Sequence, residues 1–538
     1  MNKKSLTLLL AIGFFAVVIS EPAFACTSLI VSGGASADGS VFITYTCDAE
    51  FHPYLEVIPA ADHDPDTFIP AARWSRGIEG KIKQAAHTYA VIGSSSAGLI
   101  NDQQVAIGET TFDGRSKLIN RRGLLTYPHL MILALQRART AREAIKIMAE
   151  LVDEYGYRST GESFSIGDSK EAWIMEMIGP GRGGKGAPWV AVRIPDGYLC
   201  CHANKSRIGE FPKDDPNNCL YSKNVVSVAV EKGYYDPNSG KPFSFCQAYD
   251  PETVDGRRYA GARIWSIFRR AAPSLNLSAD YPRGLPDAKP FPLYIKPDKK
   301  LSTKNVFSLM RDHYEGTAYD MTKGIDAGPF GNPNRWRGIE WKVDDVNYQW
   351  ERPISTQQTA YSIVAQLRDS LPAPVGGVLW FGMDDTYTTC YIPLYCCIDA
   401  VPKSFDSGSI DAFSWDSAWW TFNLVANYAC LKYSYMIKDI QAVQNETEDN
   451  FLKLQPAVEA TAAELYRTNP ALMKSYLTDY SVSHGELTVQ RWRELARHLI
   501  TKYNDGYING REVGYPEEWL RKVIKENPKQ YRLNPIDK

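Results

Sequence analysis

The first fifty residues constrain this chain more than any other stretch. Lys3 and Lys4 precede an apolar run from Leu8 to Ile19, and Ala23-Phe24-Ala25 then places small residues three and one before Cys26. That is the pattern of a cleaved secretory signal peptide, whose apolar run of about 12 residues falls short of the roughly 20 that a spanning helix needs. The expected destination is the periplasm or the outside of the cell, with no membrane insertion after cleavage. Cleavage after Ala25 makes Cys26 the first residue of the mature chain, carrying a free α-amine beside its thiol. An α-amine titrates near ~7.7–8.0 and a thiol near ~8.5, so the amine can take the thiol proton and later return it to a leaving group without a histidine. Cys26 is therefore expected to act as an N-terminal nucleophile in amide-bond cleavage.

The surroundings of that residue follow from the next two strands. Residues 26–32 and 41–48 flank a turn-rich loop, and the hairpin they form has its midpoint near residue 36 or 37. Reflecting Cys26 through this point lands beside Cys47 and Asp48, so Asp48 is expected to orient the α-ammonium. A Cys26–Cys47 disulfide is the competing arrangement, and it would silence the thiolate.

Removing residues 1–25 leaves 513 of 538 residues, above the size at which one hydrophobic core stops growing. A net charge of −2 and 44% apolar content describe a globular protein with no basic excess for nucleic acid. Of the ten cysteines, nine remain once Cys26 is set aside, so at least one more is unpaired in a monomer. Cys200-Cys201 and Cys396-Cys397 sit in apolar strand-like runs and read as buried thiols.

Short β-like runs at 27–31, 41–46, 172–178, 189–194 and 197–202 alternate with Gly-rich turns, and helical periodicity spans 127–154. The fold class is α+β. Residues 271–300 read as an exposed connection, before strand-like material resumes at 359–366 and 377–380. Trp415, Trp419, Trp420, Phe422 and Tyr428 read as a helix packing aromatics into a core. A C-terminal helical region carries an apolar stripe of Val489, Trp492, Leu495, Ala496, Leu499, Ile500 and Tyr503, ending at Asn504-Asp505-Gly506, with His498 structural. The expected organisation is a signal peptide at 1–25, a catalytic domain at 26–440 and a helical region at 441–538 packed on it.

Two tempting motifs fail. Gly179-Pro180-Gly181-Arg182-Gly183-Gly184-Lys185 has phosphate-loop spacing, but Gly186 stands where a Ser or Thr is needed and a strand follows in place of a helix. Around Gly93-Ser94-Ser95-Ser96-Ala97-Gly98, no serine has glycine both two before and two after it. The eight histidines contain no HExxH pair, so neither a metal nor a cofactor is expected.

Cys26-Thr27-Ser28-Leu29-Ile30-Val31 through Ala35-Ser36-Ala37-Asp38-Gly39-Ser40 resembles the mature start of peptidase family C69 dipeptidases. Ala106–Phe112, residues 189–195, residues 203–208 and residues 355–359 resemble that family in the same order. The resemblance implies the four-layer αββα sandwich of N-terminal-nucleophile hydrolases, related to the penicillin V acylase and bile salt hydrolase group, and a small peptide substrate. It also implies that Asn204 donates to the oxyanion and that a loop at Glu109-Thr110 supplies the other donor. Glu109 is a candidate partner for a dipeptide's ammonium. Arg263 matches a second arginine of the acylase group, whereas Tyr45 stands where the family pattern has an arginine. The alternatives are an acylase of the same fold cleaving N-acyl amino acids or bile acid conjugates, and a binding protein lipid-anchored through Cys26.

Overall fold

The computed structural model describes residues 26–533 apart from positions 76, 96, 337 and 338; the expected signal peptide lies outside the described residues. Val41–Asp48 is rich in β-branched and aromatic residues, which favour a pleated strand. The chain reaches it from Ser28–Val31 through a short 3-10 turn and Gly39, whose φ of +81° suits a residue without a Cβ. Ile30 faces Ile43, Val31 faces Phe42 and Thr27 bridges to Thr46, so this register brings Cys26 opposite Cys47, as the sequence symmetry predicts.

These two strands lie inside a seven-stranded sheet ordered Tyr294–Ile295, Leu199–His202, Ser28–Val31, Val41–Asp48, Thr359–Leu367, Val378–Met383 and Ile392–Tyr395. An eight-stranded sheet runs Cys219–Tyr221, Trp189–Arg193, Ala172–Met177, Gly161–Gly167, Ala106–Phe112, Ala97–Asn101, Val91–Ser94 and Leu55–Ile58. All pairings in both sheets are antiparallel. Ser28–Val31 and Val41–Asp48 contact Ala106–Phe112 and Gly161–Gly167 of the other sheet. Gly108 permits that approach, because a Cβ there would stand 2.8 Å from the Thr44 carbonyl oxygen and 3.0 Å from Tyr45 Cβ.

Helices Tyr127–Leu135 and Ala141–Tyr155 pack on the eight-stranded sheet. They divide the helical periodicity of 127–154 between them, and Thr140 caps the second by accepting from the Glu143 amide. Ala418–Ala429, Tyr433–Thr468 and Pro470–Lys502 pack on one another and against Val378–Met383 and Ile392–Tyr395. A buried Arg368–Glu459 pair at 2.6 Å ties this helical region to the seven-stranded sheet. Residue 441 lies within Tyr433–Thr468. The molecule is thus a mixed α+β structure with two large antiparallel sheets and a helical C-terminal region.

Some local readings change. Ile500 is 44% exposed and drops out of the apolar stripe, whereas Val489, Trp492, Leu495, Ala496, Leu499 and Tyr503 are buried. Trp415 is exposed while Phe422 is buried, so the aromatic cluster is only partly core. Within 271–300, Tyr294–Ile295 forms an edge strand on Leu199–His202. All ten cysteines are unpaired, and Cys200, Cys201, Cys396 and Cys397 are buried. No helix among the described residues is long and apolar enough to cross a membrane.

Candidate active site

Cys26 is fully buried at the head of its hairpin. The residue after it is pinned to the neighbouring strand: the Thr27 amide donates to Thr46 Oγ1 at 2.9 Å and the Thr46 amide to the Thr27 carbonyl at 3.0 Å. The sulfur lies 3.6 Å from Glu109 Oε1 and receives the backbone N–H of Asp48. Burial, then the Glu109 charge, push the thiol well above its ordinary value, and the Asp48 amide opposes them.

Arg263 clamps the backbone around this residue. It lies on helix Ala262–Ala271, entered through a π turn at Arg257–Gly261, and is fully buried. Nη1 donates to the Cys26 carbonyl at 2.6 Å and Thr27 Oγ1 at 3.0 Å; Nη2 donates to the Ala203 carbonyl at 3.1 Å and Asn204 Oδ1 at 3.0 Å. Burial and the nearby Arg352 pull its guanidinium down to about 10, still charged at neutral pH.

Asp48 is also buried, and both carboxylate oxygens are engaged. Oδ1 accepts from Thr359 Oγ1 at 2.6 Å, while Oδ2 accepts from Thr46 Oγ1 at 2.9 Å and from Arg352. Burial alone would lower the Arg352 guanidinium, but the Asp48 carboxylate outweighs it and raises it. Tyr259 sits between the two arginines, its ring 4.9 Å from the Arg263 guanidinium carbon and 5.7 Å from that of Arg352.

Glu109 and Thr110 lie within strand Ala106–Phe112, paired residue for residue with Gly161–Gly167, and not in the expected loop. Glu109 is buried, and Oε1 accepts from Tyr45 Oη at 2.6 Å. Tyr45 thus replaces the family arginine with a neutral donor. Thr110 Oγ1 contacts His202 Nδ1 at 2.7 Å, and His202 Nε2 meets Ser165 Oγ at 2.6 Å. Burial pulls this imidazole down to about 3, so it is a neutral bridge between the sheets.

Asn204 follows strand Leu199–His202 with a φ of +61°, a conformation that asparagine tolerates better than most residues. Its Nδ2 donates to the Thr111 carbonyl at 2.7 Å. The next turn is held by the buried carboxylate of Glu176, which accepts from Ser206 Oγ and from the amides of Arg207 and Ile208. Burial raises Glu176 to about 7 against these hydrogen bonds.

The structure therefore brings Cys26, Asp48, Glu109, Asn204 and Arg263 into one hydrogen-bonded neighbourhood, with Thr110 on its flank. Neither Arg352 nor Glu162, which accepts from Thr111 Oγ1 at 3.2 Å, is a residue that the sequence singles out. Arg352 stands immediately before the family-like block at 355–359, which was the available pointer to it. Among the described residues, no group of three or more His, Cys, Asp or Glu side chains is arranged to hold a metal ion.

The model for Peptidase family C69 matches residues 25–446. A "Probable dipeptidase" of Salmonella dublin is 27% identical over 404 residues, covering 72% of this chain and 84% of its own length. A "Probable dipeptidase" of Latilactobacillus sakei is 26% identical over 494 residues, covering 88% of this chain and 92% of its own. A "Probable dipeptidase A" of Streptococcus pyogenes serotype M3 is 23% identical over 455 residues, covering 81% and 90%.

Proposed function

The chain belongs to peptidase family C69, and on that premise we propose that it is an exported dipeptidase whose nucleophile is the Cys26 thiol, exposed as the N-terminal residue by cleavage after Ala25. The observation that carries this reading is the setting of Cys26: its carbonyl is held by Arg263 and its sulfur lies between the Asp48 amide and Glu109. Names of the relatives support dipeptides as the substrate class. We read the two facing sheets and their helices as the αββα sandwich of N-terminal-nucleophile hydrolases, with a domain at 26–440 and a helical region at 441–538, and the site of action as the periplasm or the exterior of the cell.

In the reaction, the thiolate attacks the peptide carbonyl and forms a tetrahedral oxyanion. The side-chain amide of Asn204 and a backbone N–H at Glu109-Thr110 supply its donors. The protonated α-amine passes a proton to the departing amine, and water then releases the acyl group from sulfur, restoring that proton. Arg263 and Arg352 fix the backbone and Asp48 beside the nucleophile. The enclosed position of Glu109 supports a role beside the sulfur over the expected pairing with a substrate ammonium.

The test is turnover of a dipeptide panel alongside N-acyl amino acids and bile acid conjugates by a chain confirmed by mass to begin at unmodified Cys26. Hydrolysis of dipeptides alone supports the proposal. Turnover confined to acyl amides replaces the dipeptidase with an acylase, and a diacylated Cys26 replaces it with a lipid-anchored protein.

A further inference from the structure

Glu109 has a neighbour that the reaction described above does not use. In the register of the two paired strands, Glu109 faces Phe164 and Thr111 faces Glu162, which makes Glu109 and Glu162 diagonal neighbours on one face of the sheet. Both carboxyls are fully buried, and a proton on one lies within hydrogen-bonding reach of the other. Glu109 Oε1 takes Tyr45 Oη and the Cys26 thiol, and Glu162 Oε2 takes Thr111 Oγ1 at 3.2 Å. Among the described residues Glu109 Oε2 and Glu162 Oε1 are buried outside any hydrogen bond, with the Tyr157 phenol the remaining donor beside Glu162. Among the described residues no lysine or arginine forms an ion pair with either carboxyl. The other titratable groups facing the pair are the thiols of Cys26 and Cys47 and the phenols of Tyr45, Tyr127, Tyr157 and Tyr361, all raised by burial and uncharged at neutral pH. The charge of Asp48 is answered by Arg352.

Two carboxylates in such a place cannot both ionise, and one proton between them satisfies both bare oxygens. We infer that Glu109 and Glu162 hold a single proton in common, and that Glu109, the charged member, is the acceptor of the Cys26 thiol proton. This rests on Cys26 being the nucleophile and narrows the proton's path. The S–H bond breaks and an O–H bond forms on Glu109 Oε1. The pair passes from one proton and one negative charge to two protons and none, and the charge moves to sulfur. The net charge of the buried cluster does not change, so thiolate formation requires no additional buried charge. The α-ammonium then protonates the leaving nitrogen and recovers a proton from the attacking water. Glu109 returns its proton when the thiolate is expelled. Glu162 touches no reacting atom and is a positioning residue.

Because the proton moves within the protein, kcat/KM should be level with pH between the titration of the pair and that of the α-amine. Glu109→Gln keeps the volume and removes the acceptor, so thiolate must then form by loss of a proton to solvent. The expected result is a profile in which kcat/KM rises about tenfold per pH unit across the range where the wild type is level, with iodoacetamide alkylation of Cys26 following the same slope. A Glu109→Gln profile of wild-type shape assigns the thiol proton to the α-amine and overturns the inference. Infrared spectroscopy provides a second readout that does not need that variant: the protonated-carboxyl band of the wild type at neutral pH should lose one component in Glu162→Gln, and no difference overturns the shared proton. Alkylation of Cys26 that leaves dipeptide turnover intact removes the nucleophile itself, an outcome separate from either profile.

Discussion

Arg352 closes on the carboxylate of Asp48 one position beyond Cys47, the residue facing Cys26, and both side chains are sealed from solvent. Such a pair is sensitive to loss of one partner. Arg352→Met leaves the Asp48 charge buried without its cation and should cost about 3–5 kcal/mol in urea unfolding, together with most of the activity. The double variant Arg352→Met with Asp48→Asn should recover part of that loss, because it removes the stranded charge as well. A single-variant loss below about 1 kcal/mol would contradict a buried, unscreened pair.

Cys26→Ser should fold with wild-type stability, since the hydroxyl is close in size to the thiol and no disulfide is lost. Activity on dipeptides should fall by at least about 10²-fold, because a hydroxyl beside the same amine and carboxylate is far harder to ionise. Near-normal turnover would remove Cys26 from the mechanism.

Asn204→Ala tests the oxyanion site. It should lower kcat by about 10²–10³ with a smaller change in KM. The variant also breaks the links to Thr111 and Arg263, so a stability loss on the order of 1 kcal/mol per hydrogen bond should accompany it. An unchanged kcat with the same stability loss would leave Asn204 a purely structural turn residue.

Glu176 makes the turn after Asn204 sensitive to pH. Its carboxyl is held at about 7 in the fold by burial, above its ordinary value of 4.5, so the folded state binds the proton more tightly than the unfolded chain does. The associated stability is fully present below about pH 4.5 and is lost as pH rises through about 7, by roughly 3 kcal/mol in all. Glu176→Gln should flatten the decline in unfolding free energy between about pH 5 and 7. The same slope in the variant would place the titration elsewhere.

What was legible in the sequence was local. The hairpin carrying Cys26 reveals its own register because strand, turn and strand are contiguous, and Cys47 and Asp48 fall where symmetry places them. Arg352 was not legible, since it meets Asp48 only after a strand more than three hundred residues away in the chain pairs with Val41–Asp48, and nothing local encodes that pairing. Glu162 was hidden for the same reason: its relation to Glu109 depends on the register of Ala106–Phe112 against Gly161–Gly167. The loop at 109–110 was what the family resemblance implied, and the Gly-Glu-Thr-Thr composition, without the apolar alternation of a half-buried strand, offers no local signal against it. Both of its faces are covered here, so alternation was never required.

The most direct test concerns the free terminus. A chain bearing a short extension before Cys26, removable only by an added site-specific protease, is assayed on a dipeptide before and after cleavage, with N-acetylation of the cleaved chain as the control for bulk. The account predicts no turnover with the extension, activity once Cys26 is first, and loss again on acetylation, because only the free α-amine can protonate the leaving nitrogen. Equal kcat/KM in the extended, cleaved and acetylated forms would contradict it.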